Sequence, residues 1–445
     1  MRLAGALLAL AAFLHLYRLS EPARVVFDEV HFADQASAYC GSHGYFFDVH
    51  PPHAKLLIAG VAALGGYRGD QSFESLDDPI DQVSPALLRL APALAGSVLP
   101  AVVFGLLLQL GASEVAAFLG GLATALDNAI LLETRIVVLD GILLLACFGS
   151  LSTLLAALGT GSPRRRAALA VGAGALAGLA VGTKFTGLVA LALDAVCIGA
   201  NLLRGPSWRA AREATGVAAL LLTGAIVTYV AGWELHFALL TEPGPGYAWA
   251  APTGDFVSDA LRVHRLMLTS NYTMTATHPY ASPWWSWPLM LRPIYYWRHG
   301  DAALYFLGNP VVWWGTTLGL LLVLANGVLL RISDLSLPGR PAWPRPLWVP
   351  LLGFAIALLP LVAVPRVLFL YHYLTAQLFG LCAVIRWLDH IGWTRAGGWG
   401  QQRRSVFVAM AGLVLAFLAI SPFTFSFIEA PAYRELVFGL FPGWR

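Results

Sequence analysis

Apolar residues run almost unbroken over 3–19, 86–110, 115–133, 136–158, 167–183, 186–203, 214–235, 310–330, 347–364, 368–387 and 405–421. Each run is near the length of about 20 residues that an α-helix needs to cross hydrocarbon, and none alternates as a half-buried strand would. The pattern predicts an all-α polytopic membrane protein with about eleven transmembrane helices. Two polar intervals, 20–85 and 236–309, are too long to be simple turns and are expected to carry loop helices within a single domain, 1–445. The first run, with Arg2 before a short apolar core, has some features of a signal peptide. No small-residue cleavage site precedes Asp28, so it is read as a helix.

Basic residues in short loops set orientation. Arg164, Arg165 and Arg166, then Arg204, Arg209 and Arg212, then Arg331, Arg340 and Arg345, and finally Arg386, Arg395, Arg403 and Arg404 fall on one side. That side is expected to be cytoplasmic, with the N-terminus inside and the C-terminus outside. Both long intervals then lie outside.

Composition agrees with a bilayer protein: 58% of residues are hydrophobic and 12% charged, against about 25% charged in soluble chains, and mean hydropathy is +0.68. A net charge of +3 gives no nucleic-acid footprint. The cysteines, Cys40, Cys147, Cys197 and Cys382, have neither zinc nor disulfide-framework spacing. No Gly-rich nucleotide loop is present. The two halves also lack the matched broken helices of a transporter, which leaves that class a remote alternative.

Chemistry concentrates in 26–57. Asp28 and Glu29 open a helical pattern that runs to Gly41, a C-terminal stop; Pro51 and Pro52 then predict a stiff extended segment presenting Asp48, His50, His53 and Lys55. Neighbouring acids point in different directions, so one of the pair is expected to face a site and the other to support it. Asp28 also suits a helix N-cap. Asp48, His50 and His53 are metal-ligand types, but the prolines keep them off one helical face, and no metal is expected. Arg89, Glu133, Arg135, Asp140, Lys184, Glu234, Arg366 and His372 sit within or at the ends of apolar runs, mostly outer ends, where ionisable groups are functional by default. Asp194 is mid-run. The cations suit phosphate, or ion pairs with Glu133, Asp140 or Glu234. An aromatic run containing Trp284, Trp285, Trp287, Tyr295, Tyr296 and Trp297 reads as an interfacial belt or as a platform for a sugar or prenyl chain.

The Asp28–Glu29 pair, the DVHPP segment from Asp48 that leads to Lys55, Arg89 in LLRLAPALAG, and Arg135 and Asp140 in ETRIVVLD form an ordered series. It continues with HPYASPWWSWPLMLRPIYYW from His278, LGNPVVWW around Asn309, and FLYHYLTA with His372 and Tyr373. In this the chain resembles the protein O-mannosyltransferases. It departs from them at His53 and Ala54, and its outer loop lacks room for the β-trefoil module of eukaryotic members. The resemblance implies a GT-C fold and transfer of mannose from a polyprenyl or dolichyl-type phosphate to Ser/Thr hydroxyls of secreted or membrane proteins. Transfer would invert the anomeric centre outside the plasma membrane, without a cofactor or metal. Asp28 would be the base and Glu29 its support. Substrate contacts would come from Asp48, His50, Lys55, Arg89, Arg135, Asp140, His278, Tyr280, Trp284, Trp285, Arg292, Asn309, His372 and Tyr373, with Lys184 joining them as a cation at membrane depth. A related enzyme acting on lipid A or another glycan, of the aminoarabinose-transferase kind, is the nearer alternative.

Overall fold

The computed structural model describes residues 2–244, 252–273, 277–332, 347–394, 401–427, 431–439 and 442–444. Arg340, Arg345, Arg395 and part of the Gly/Pro-rich stretch, 245–251, lie outside the described residues. The helices are α1 (Arg2–Leu16), α2 (Glu29–Cys40), α3 (His53–Leu64), α4 (Pro85–Gln109), α5 (Glu114–Ala125), α6 (Asn128–Glu133), α7 (Asp140–Gly159), α8 (Pro163–Thr183), α9 (Leu188–Leu203), α10 (Trp208–Leu239), α11 (Phe256–Thr273), α12 (Pro310–Ile332), α13 (Trp348–Val362), α14 (Leu374–His390), α15 (Gln401–Thr424) and α16 (Pro431–Gly439). A hairpin of β1 (Ile294–His299) and β2 (Ala302–Phe306) precedes α12.

Every apolar run carries helix, but not always one continuous helix. Seven of the described helices are long and apolar enough to cross a membrane, while α1, α3, α5 and α13 are shorter apolar helices. The run 115–133 is broken at Leu126, where the Asp127 carboxylate accepts the Ile130 N–H at 2.9 Å and starts α6 afresh. Asp127 also accepts the Trp313 indole N–H at 2.8 Å, which ties the break to α12. Mid-run Asp194 is buried and accepts the Ser150 hydroxyl at 2.6 Å, joining α9 to α7.

Glycine sets the closest helix approach. A methyl group at Gly174 or Gly178 would overlap the backbone of Leu221 or Ala225, so α8 and α10 touch main chain to main chain. His53 fills a gap between Gly182 on α8 and Gly232 on α10, and its Nε2 lies 2.9 Å from the Thr228 carbonyl. This residue, a departure from the family pattern, pins α3 to the bundle. It also corrects the expectation of an extended segment there, since Pro52 directly precedes α3 and both His53 and Lys55 are helical. Gly41 does end α2, but its φ is −140°, so it is not a left-handed cap. Glycine is required because a side chain would strike the Arg68 carbonyl.

The hairpin modifies the all-helical expectation. Tyr, Trp and Ile favour strands, and five register pairs join Ile294–His299 to Ala302–Phe306 with an irregularity between Tyr295 and Trp297. At that irregularity Tyr296 turns inward. Its ring stacks on Phe27 at 3.8 Å, its carbonyl accepts the Phe27 N–H, and its hydroxyl donates to Glu133. The hairpin therefore fixes the residue immediately before Asp28. The start of α2 and the end of α6 meet there, and Lys184 on Asp140 and Tyr371 brings the end of α8, the start of α7 and the approach to α14 to the same end of the bundle.

Candidate active site

Asp28 occupies the N-cap position of α2 but uses only its backbone there. Its carbonyl accepts the His31 and Phe32 N–H groups at 3.0 Å, and the side chain makes no cap bond. The carboxyl group is left without a hydrogen bond beside His31, Asp48, Asp140 and Lys184. Burial pushes it up to about 6, and Asp140 and Asp48 push the same way, while His31 and Lys184 pull down. It is a carboxylate with unspent accepting capacity, of a basicity suited to neutral pH.

Glu29 turns the other way and is fully buried. It takes both arms of the Arg89 guanidinium, at 2.7 and 2.9 Å, and also accepts the Val26 and Val137 N–H groups. Arg89 donates its remaining hydrogens to the Leu19, Pro22 and Arg24 carbonyls. This corrects the expected phosphate role of Arg89: its donors are spent on Glu29 and the loop that leads to Asp28. Arg135 is corrected likewise. Its guanidinium donates to the Leu14, His15 and Arg18 carbonyls at the end of α1 and lies 4.7 Å from the Phe425 ring centroid.

The cations with capacity to spare stand elsewhere. Lys184, held at the end of α8, donates to Asp140 at the start of α7 at 2.5 Å and sits over the Tyr371 ring. An ammonium has three donors, so this bond leaves others for a ligand. Arg366, between α13 and α14, has a buried Nε without a hydrogen-bond partner. Its charge is felt at His50, Tyr371 and His372. Lys55 is buried and spends two of its three donors within the loop, on Asp48 at 2.6 Å and on the His50 carbonyl at 2.9 Å. Burial pushes Asp48 up, but Lys55 and His50 hold it below the usual carboxylate range. Burial brings His50 down to about 3, so its imidazole is neutral, and its ring nitrogens take no hydrogen bond.

Glu133 and Tyr371, which the sequence does not mark as site residues, complete this cluster with Arg366, which it marks as a cation suited to phosphate. Glu133 keeps one buried oxygen unbonded, and its charge reaches Asp28, Asp140 and Lys184. An acid and an arginine at the ends of apolar runs were the available signals. His372 joins from the approach to α14, with Nδ1 3.2 Å from the Phe369 nitrogen and its ring over Tyr371.

Other expected contacts fall elsewhere. Tyr373 is buried against Trp313, Phe354 and Trp287, and its hydroxyl has no hydrogen-bond partner among the described residues. Asn309 is the α12 cap that an Asn before Pro310 predicts: it accepts the Val311 N–H, and its amide donates to the Leu126 and Leu413 carbonyls, which takes it out of the expected substrate contacts. His278 packs edge-on against Phe369, Tyr280 tilts against Tyr295, and Arg292 donates to the Pro279 carbonyl. Trp284 and Trp285 are surface-exposed, 39% and 59%, whereas Trp287 is buried and bonded to Ser282.

A bundle of apolar helices whose ends converge on carboxylates, a lysine and an arginine has the architecture of a polytopic membrane protein with a polar site. Residues 5–239 match the family model "Dolichyl-phosphate-mannose-protein mannosyltransferase", and residues 256–435 match "C-terminal four TMM region of protein-O-mannosyltransferase". The chain belongs to the dolichyl-phosphate-mannose-protein mannosyltransferase family. It is 39% identical over 150 residues to protein O-mannosyltransferase 1 of Drosophila melanogaster, covering 34% of this chain and 17% of that one. It is 33% identical over 254 residues to the Drosophila pseudoobscura protein of that name, covering 54% and 27%. The chain thus spans well under half the length of these relatives. Its fold is similar to the Saccharomyces cerevisiae Pmt1–Pmt2 complex bound to the sugar donor, with TM-score 0.89 and 19% identity over 98% of this chain and 91% of that chain. It is also similar to Cupriavidus metallidurans ArnT bound to undecaprenyl phosphate, with TM-score 0.57 and 15% identity over 94% and 64%.

Proposed function

We propose that this chain transfers a mannosyl residue from a polyprenyl or dolichyl-type phosphate mannose to Ser or Thr hydroxyls of proteins. Asp28 is the general base: it takes the hydroxyl proton as oxygen bonds to the anomeric carbon from the face opposite the phosphate. The carbon–phosphate oxygen bond breaks, and the departing phosphate is received by Lys184 and Arg366. Phosphate is already a good leaving group, so one base and preorganised cations are sufficient. Glu29, Arg89 and Arg135 act through the loop that holds Asp28, and Asp48, Lys55, His50 and His372 shape the surroundings. The observation that carries this reading is an Asp28 carboxyl free of hydrogen bonds, raised to about 6, in the same cluster as Lys184.

The reaction takes place at the outer face of the plasma membrane, with the N-terminus inside and the C-terminus outside. A lipid-tailed donor must be met at the bilayer, and the basic short loops belong to the opposite end of the bundle.

The test uses membranes bearing wild-type protein or Asp28→Asn, polyprenyl-phosphate mannose and a Ser/Thr-rich peptide, with other lipid-linked sugars and lipid A as parallel arms. Wild type should mannosylate the peptide alone. Asp28→Asn should lose about two to four decades in transfer while keeping donor binding. Near-normal turnover would exclude Asp28 as base, and transfer to lipid A would favour the glycan reading.

A further inference from the structure

A second polar site lies at the other end of the bundle. The ends of α4, α7 and α9 and the start of α13 enclose a cleft of about 700 Å³, within the size range of small-molecule sites. Because α7 runs 20 residues from Asp140 to Gly159, the cleft is about 30 Å from the Asp28 cluster along that helix. Its lining combines apolar Leu155, Leu158, Cys197 and the half-buried Trp348 with Arg165, Arg204 and Asn201, which are exposed.

The two arginines differ from their neighbours in charge compensation. Glu213 accepts hydrogen bonds from Arg166 at 2.9 Å and from Arg209 at 3.4 Å, and neither of these arginines lines the cleft. Arg165 and Arg204 take no ion pair, and no acid lines the cleft among the described residues. The result is a double positive charge without an acidic partner among the described residues, beside apolar lining, where helix ends meet the connecting loops. Guanidinium forks favour phosphate oxygens, and the apolar lining suits the first part of an acyl chain.

We propose that this cleft binds the phosphate group of an anionic phospholipid from the leaflet opposite the active site. The lipid fastens the α7–α8 and α9–α10 connections and so steadies α8, which carries Lys184 at its far end. The same phosphate chemistry is offered by soluble phosphate, and the test separates the two.

Delipidated full-length protein in detergent would be titrated with phosphatidylglycerol, phosphatidylcholine or inorganic phosphate, following thermal unfolding and retained lipid by native mass spectrometry. Phosphatidylglycerol should raise the melting temperature of wild type by several degrees over phosphatidylcholine and leave one retained lipid. The Arg165→Ala/Arg204→Ala variant should lose that difference, and Arg209→Ala should keep it. Should the double variant not accumulate, Arg204→Gln alone must lose at least half of the shift. An equal response of wild type to both lipids, an unchanged response in the double variant, or an equal loss in Arg209→Ala would overturn the proposal. Protection by inorganic phosphate as large as that by phosphatidylglycerol would overturn the lipid source in favour of a soluble phosphate.

Discussion

At Asp28 the physical signature of a base is basicity gained by burial, and it makes two predictions of opposite sign. Transfer should fall as pH drops through about 6, because protonation removes the base; a pH–rate profile with a flat acid limb down to pH 4 would exclude it. Stability should move the other way. The folded pKa lies above the ordinary value of 3.8, so the folded state binds the proton more tightly and ionisation weakens it as pH rises from about 4 through 6. Asp28→Asn should therefore melt at or above wild type at neutral pH, with the difference vanishing near pH 4. A merely structural carboxylate would give the reverse. Arg89 is the contrasting case. Arg89→Ala would leave Glu29 buried without its partner, at a cost of about 3–5 kcal/mol, so loss of folded protein is expected rather than weaker donor use. A well-folded Arg89→Ala protein with a raised KM for donor would restore the phosphate contact. The sequence marked Arg89 but not its task, because the Glu29 carboxylate that captures it is 60 residues away and adjacent to the acid of greater interest. Arg366 was visible as a cation at membrane depth; only packing reveals its unsatisfied nitrogen.

Among the elements, the α8–α10 contact sets where Lys184 stands. Gly178→Ala should push α8 from α10 and cost about 1–3 kcal/mol by overpacking, with transfer and melting temperature falling together. Gly216→Ala, on α10 with open space around it, is the control and should be neutral or stabilising, since alanine is the better helix former. Equal behaviour of the two variants would show that backbone contact is not limiting. Hydrophobic run length was enough to place the main helices, because lipid demands internally bonded backbone and leaves little choice. The hairpin was not legible. Its aromatic residues suit strands and membrane interfaces alike, and the choice is made by Phe27 and Glu133, which seat Tyr296 from distant parts of the chain.

For the molecule as a whole, charge density and helix ends agree on a division between two faces. Asp140, Lys184, Glu133 and the Asp28 loop lie at one end, while Asp389 accepts the Ser113 hydroxyl at 2.5 Å and Arg386 donates to the Leu110 carbonyl at the other. A reporter fused after Arg445 should behave as extracytoplasmic, and reporters after Arg165 or Arg404 as cytoplasmic; a cytoplasmic C-terminus would break the proposed topology. The break at Asp127 bears on how this arrangement is made. The carboxylate that restarts α6 receives its second donor from Trp313, 186 positions later. At about 5–20 residues per second, the ribosome delivers that tryptophan roughly 10 to 40 s after Asp127. During biosynthesis the early helices thus enter the bilayer with one carboxylate oxygen still awaiting its indole, and the amino-terminal half cannot reach its final packing until α12 arrives.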